Sequence, residues 1–147
     1  MIQQAVAEDI SAIAEVCKAA PNLTIEALSV PFSVCKVRDY PPDILSLPFC
    51  FPGKTDREKS LVCPTCSVPP DTTAREDHWR AFRVEGSMDF SLIGILAGIS
   101  GILARQKISI FAVSTFETDY VLTKEEHFAK ALSALRSAGY TIRGKAE

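Results

Sequence analysis

Histidine is scarce in this chain: only His78 and His127 occur among 147 residues. Neither a G-x-S-x-G nucleophile elbow nor a G-x-x-x-x-G-K-[ST] phosphate loop is present. The commonest nucleophile–base and nucleotide-cradling arrangements are therefore missing, and neither an enzyme nor a cofactor is expected. Positive charge is not in surplus. Residues 1–70 carry 8 acidic and 6 basic side chains, residues 71–147 carry 10 of each, and Arg75, Arg80 and Arg83 are interrupted by Glu76, Asp77 and Glu85. Nucleic-acid binders show a basic patch or stripe, so no nucleic-acid partner is expected. Long apolar runs are lacking too. Phe90–Ala104 is the longest, and its three glycines and two serines fall short of the roughly 20 apolar residues of a membrane span. No membrane partner is expected.

The opening MIQQAVAEDISAIAEV has acidic residues and no basic leader, unlike a signal peptide. Five cysteines without framework spacing point to reduced thiols and a cytoplasmic location. Cys63-Pro-Thr-Cys66 is a lone C-x-x-C. Zinc would need two further ligands at a usual spacing, and a redox pair would need a following helix that Pro64, Pro69 and Pro70 oppose. No metal is expected there.

What is present is unevenly spread. All nine prolines lie between Pro21 and Pro70, all five cysteines at or before Cys66, and six of seven glycines after residue 85. Residues 1–22 read as an accessory helix, with Ile10, Ile13, Ala14 and Cys17 recurring at i, i+3, i+4 and i+7. Residues 23–70 read as a short unit. Leu23–Leu28 and Phe32–Val37 are expected as two strands parted by Pro31, Tyr40–Asp43 as a turn into a helical stub, and Phe49–Phe51 and Ser60–Cys63 as strands of a hairpin. Asp71–His78 is expected to be a polar connector.

Residues 79–147 give a fuller pattern. Trp79–Gly86 alternates as a strand, Ser87–Ser91 turns, and a helix runs to Gln106. Ile108–Thr115 and Thr118–Thr123 make two strands joined by Phe116-Glu117. Thr123 and Glu126 pose as a capping box for a helix faced by Phe128, Ala131, Leu132 and Leu135, with Gly139 as its cap. Tyr140–Arg143 closes as a strand. This β-α-β-β-α-β order predicts an α+β, ferredoxin-like sandwich with both helices on one face of a four-stranded antiparallel sheet.

Two stretches carry candidate chemistry. Gly86-Ser-Met-Asp-Phe90 enters the glycine-bearing helix, where Asp89 either caps the helix or leaves its free amides to a ligand carboxylate. Ser114-Thr-Phe-Glu-Thr-Asp119 puts more polar groups in a turn than geometry needs. It is either a solvated tip or a cradle for an ammonium or guanidinium group. Gly94, Gly98 and Gly101, at i, i+4 and i+7 of an all-round apolar helix, allow close approach of another backbone, or mark a tightly packed core helix.

The run from Phe82 to Leu96, with Ile108–Leu122 and Lys124-Glu125, resembles the ACT-domain family. It is similar to the branch of small bacterial tandem-ACT proteins and CASTOR-type arginine sensors, and Phe32–Val37 with Ser60–Pro64 is similar to their first, minimal ACT unit. The resemblance implies two unequal ACT-like units, side-by-side pairing and a regulatory sensor that binds an amino acid at the interface, most simply as a homodimer. It implies ligand-facing positions at Asp89, Phe90, Ser91, Ser109, Ile110, Thr115, Phe116, Thr118 and Asp119, with Asp119 pairing a ligand cation. Where the arginine sensors' binding unit carries an acidic residue this chain has Leu92, which argues against arginine. The other readings are a ligand-free dimerisation module with the same fold, and a metal or redox protein built on Cys63 and Cys66.

Overall fold

The computed structural model describes residues 23–85 and 94–146. The expected accessory helix, the turn at 87–91 and the first residues of the glycine-bearing helix lie outside them. In chain order the elements are β1 (Thr24–Val37), β2 (Phe51–Lys54), β3 (Lys59–Pro64), β4 (Thr72–Glu85), α1 (Ile95–Arg105), β5 (Ile110–Ser114), β6 (Asp119–Lys124), α2 (Glu125–Ser137) and β7 (Thr141–Arg143). The strands join in one sheet, ordered β2-β3-β1-β4-β6-β5, with β7 paired to β1.

β1 is a single strand where two were expected. Proline lacks the N–H a ladder needs and is tolerated in strands at edges or bulges. The register against β4 slips between Ala27/Phe82 and Pro31/Arg80, so Leu28–Val30 bulge out and Pro31 is accommodated. A second slip, between Phe32/Trp79 and Val34/Glu76, places the extra residue on β4, where His78 has φ 66°. Asp71–His78, expected as a connector, is almost entirely the first half of β4.

The order around the glycine-bearing half also differs from the four-stranded expectation, in which the last strand lies beside the first. Here β1 holds that place, antiparallel to β4 at Thr24–Ala27, and β7 is displaced outward to run parallel to β1 at Thr24–Glu26. Beyond the bulge the same flank of β1 is taken by β3, from Phe32/Pro64 to Lys36/Ser60. β1 thus changes neighbours at its bulge, and the two halves share one continuous sheet.

Both helices cover one face, as the pattern predicted. Ile95, Ile99 and Leu103 of α1 and Phe128, Ala131, Leu132 and Leu135 of α2 bury against Ile25, Phe82, Val84 and Val121. On the opposite face Leu28, Phe32, Val62, Trp79, Ala81 and Leu122 form a second core, closed by Phe49 and Phe51 as the sheet curls. A third, small core gathers Cys35, Val37, Ile44, Leu61 and Cys63. The stub is one 3-10 turn, Ile44–Ser46.

At the start of α2 the expected capping box does not form. Lys124 is the N-cap and no side chain caps the helix. Thr123 is still a ladder residue, paired with Arg80 and Ile110, and its buried hydroxyl bonds the Lys124 carbonyl at 3.2 Å. The C-terminal end is as expected: Gly139 takes φ 104°, and its N–H reaches the Arg136 carbonyl at 3.0 Å.

Candidate functional site

The β5–β6 hairpin builds its tip from hydroxyls. Thr115 donates its N–H to the Thr118 carbonyl at 2.9 Å, and Thr118 returns its own N–H to the Thr115 hydroxyl at 3.2 Å. The Thr115 hydroxyl in turn donates to the Thr118 carbonyl at 2.9 Å. Ser114 and Asp119 form the last ladder pair, and the Ser114 hydroxyl donates to Asp119 Oδ1 at 2.6 Å. Phe116 stands at the apex, 86% exposed. The Thr118 hydroxyl leaves the hairpin and donates to the Val84 carbonyl at 2.6 Å.

That last bond fixes the location. Val84 is the penultimate residue of β4, and β4 leads through residues 86–93 to Gly94, which opens α1 in a left-handed conformation (φ 81°). Thr115, Phe116, Thr118 and Asp119 are thus gathered beside the exit of β4. Asp89, Phe90 and Ser91 lie outside the described residues. Ile110 opens β5 and Ser109 precedes it, roughly 13 and 17 Å from Ser114 at about 3.3 Å per residue. Ser109 is exposed, while Ile110 packs on the helix-side core. The structure gathers four of the nine expected positions.

A charged cluster that no motif announced lies on the face away from the helices. Glu26, Arg83 and Tyr120 are ladder partners across β1, β4 and β6. Arg83 donates from Nε and Nη2 to Glu26 Oε2 at 3.1 and 3.0 Å, from Nε to Glu85 Oε1 at 2.8 Å, and from Nη1 to the Tyr120 hydroxyl at 3.3 Å. The guanidinium carbon also stands 5.9 Å from the Phe49 ring centre. Hydrogen bonding with Glu85 and Arg83 holds the Glu26 carboxyl below its usual range. The bond to Tyr120, then those to the carboxylates, raise the pKa of Arg83. Three strands must meet before these residues touch, so period and spacing could not show them.

Among the described residues Arg80, 3% exposed, is bonded only to carbonyls: Ala146 at 2.8 Å, Leu28 at 3.0 Å and Lys145 at 3.2 Å. Its guanidinium lies 4.7 Å over the Phe128 ring, and its Nε–H has no partner among the described residues. It ties the segment after β7 to the β1 bulge.

Cys63 and Cys66 are both free thiols, one buried at the end of β3 and one exposed. Burial, then neighbouring Cys35 and Cys50, push the Cys63 thiol up to about 12. Among the described residues no group of histidine, cysteine and carboxylate side chains is arranged to hold a metal ion, and no helix is long and apolar enough to cross a membrane.

Residues 74–137 match the ACT domain family. No curated protein is significantly similar to the chain. Among solved structures, a protein from Agobacterium tumefaciens is similar at 26% identity and a TM-score of 0.75, over 84% of this chain and 93% of its own. A Vibrio cholerae protein of unknown function, described as a possible transport protein, gives a TM-score of 0.65 at 19% identity, over 85% and 94% of the two chains. The ligand-free regulatory subunit of aspartate kinase from Thermus thermophilus gives 0.53 at 12% identity, over 78% and 96%. The fold is ACT-like: a curled, mostly antiparallel sheet with two helices on one face.

Proposed function

We propose that this chain is a non-enzymatic regulatory protein that binds an amino acid at an interface between ACT-like units. The observation that carries the reading is the hydroxyl-rich hairpin tip held against the exit of β4 by Thr118 and Val84, with the Asp119 carboxylate beside it. If the helix entrance lies beside Asp119, it would offer opposite charges to the two ends of one amino acid: unpaired helix N–H groups suit its α-carboxylate, and Asp119 suits its ammonium. Asp89, Phe90 and Ser91 would line that entrance, Thr115, Phe116 and Thr118 the tip. Ser109 and Ile110, just before and at the start of β5, would be supplied by a second unit paired side by side in a homodimer.

Residues 23–70 would act as a minimal unit and 79–147 as the complete one, in the manner of the CASTOR-type branch. The ACT match and the regulatory-subunit likeness support a sensor over a catalyst. Ligand binding across an interface biases one arrangement of the partners, which is how such a sensor signals.

Thermal unfolding in the presence of each of the twenty amino acids tests this. At 100 times its Kd a ligand adds about 2.7 kcal/mol of stability, a rise in Tm of roughly 5–10 °C for a chain of this size. At least one amino acid should produce it, and Asp119→Ala should abolish it. If no amino acid stabilises the protein, the second reading stands. It already has one point in its favour: the Ser114 hydroxyl occupies Asp119 Oδ1, as in a tip that serves the hairpin alone.

A further inference from the structure

α1 has an unusual outer side. Ile95, Gly98, Ile99 and Leu103 are buried, whereas Leu96, Ala97, Ser100, Gly101 and Ile102 are half-exposed and Ala104 is exposed. No charged side chain occurs from Ile95 to Ala104. A helix with one side in water carries a polar stripe there, and this one has only Ser100. At Gly101 an added Cβ would meet nothing within 4 Å. Glycine in a helix costs up to about 1 kcal/mol relative to alanine, and at Gly101 no close contact among the described residues offsets it.

Beside this face, between α1 and α2, runs an open groove of about 470 Å³. Ile102, Ala134 and Ala138 give it an apolar floor, and Ser133 and Ser137 keep its wall low. Its two ionisable lining residues, Arg105 and Lys130, are both cations.

The chain enters the fold next to this groove. The Leu23 carbonyl accepts the Thr141 N–H at 3.1 Å, and the Leu23 side chain packs on the helix-side core. Thr141 follows Ala138, a groove residue, by three positions. The described residues therefore begin close to the Ala138 end of the groove. The sequence of residues 1–22 carries one apolar stripe (Ile10, Ile13, Ala14, Cys17) and three acids (Glu8, Asp9, Glu15) against the single base Lys18. A helix over residues 10–17 is about 12 Å long, and the five residues 18–22 can span about 17 Å. Stripe, charge and tether length all match the groove.

We propose that this N-terminal segment docks as an amphipathic helix in the α1–α2 groove of its own chain. Ile10, Ile13, Ala14 and Cys17 cover Ile102, Ala134 and Ala138, and the acids face Arg105 and Lys130. Gly101 then lets the docked backbone come close. The proposal does not depend on an amino-acid ligand.

Carbodiimide cross-linking of the full-length protein, followed by peptide mass spectrometry, tests it. An equal mixture of ¹⁴N- and ¹⁵N-labelled chains separates links within a chain from links between chains. The expected product joins Glu8, Asp9 or Glu15 to Lys130 within one isotope label. Ile13→Asp, outside the 23–146 core, should cut that product at least fivefold and speed amide exchange over Gly101–Gln106 several-fold. Ala134→Asp should do the same from the groove side. Links of mixed label would assign the groove to a second copy. Absence of any link, or exchange at Gly101–Gln106 unmoved by Ile13→Asp, would likewise overturn the proposal.

Discussion

The Thr118 hydroxyl donates to the Val84 carbonyl at 2.6 Å, and this bond pins the tip of one hairpin to the end of a strand it otherwise leaves. Thr118→Val keeps the shape and deletes the donor. It should cost about 1 kcal/mol in urea unfolding and quicken amide exchange at Thr118. Since the bond sets the tip beside the exit of β4, the variant should also weaken any amino acid that stabilises the wild type. Wild-type ligand response with a loosened tip would detach the tip from the site.

Gly144 has φ 85°, and a Cβ there would stand 2.6 Å from the Ala27 carbonyl oxygen. Conformation and space both require glycine. Gly144→Ala should destabilise by about 1–3 kcal/mol, the usual cost of a forced left-handed residue, or more if the Ala27 backbone must shift. Calorimetry reads the loss directly, and an unchanged Tm would refute the close approach.

Arg80 is a buried cation held by three carbonyls and a ring rather than by a carboxylate. Arg80→Ala would leave those carbonyls unpaired and a void beside Phe128, a loss of roughly 3 kcal/mol or more. Because two of the acceptors are Lys145 and Ala146, the C-terminal segment should also become open to carboxypeptidase. Digestion rates compared under native conditions check the second half of the expectation independently of the first.

Thiol reactivity should divide the C-x-x-C. With its thiol near 12 and its side chain buried, Cys63 is almost wholly protonated at pH 8, whereas Cys66 is exposed. Iodoacetamide should label Cys66 at least a hundredfold faster than Cys63, a difference that guanidinium removes. Equal rates in the native protein would mean that the small core around Cys35 and Cys63 opens readily.

Acid should find Glu26. Its carboxyl lies below the ordinary value of 4.5 because Glu85 and Arg83 hydrogen-bond to it. A depressed folded-state pKa contributes stability that is complete above the unfolded value and drains as pH falls through the folded one. Glu26→Gln should therefore flatten the loss of stability as pH falls below the ordinary value of 4.5, with Glu26→Gln and wild type converging at the acid end. A parallel pair of urea-midpoint curves would show that the pairing with Arg83 contributes nothing on folding.

Local pattern revealed most of the second half. The face of α2 read from spacing is the buried face, and Gly139 is the helix cap. The hairpin tip was also legible, because a turn needs so few polar residues that a surplus stands out. Four features escaped for physical reasons. Pro31 reads as a break until a bulge two strands wide absorbs it. The start of β4 is paired on one side only, so its polar Arg75-Glu76-Asp77 run shows no alternation. The capping box failed because Thr123 serves the sheet. The Glu26–Arg83–Tyr120 row was invisible because it exists only once β1 lies beside β4.

The exchange of neighbours along β1 has a kinetic consequence. Its first residues pair with β7, the last of the described strands, and its later residues with β3. During synthesis the first strand can find β3 early, but its other end stays unsealed until Thr141–Arg143 have been made. Contacts so distant in sequence slow folding. The seam between Thr24 and Thr141 should be among the last to close, after most of the helical layer has formed.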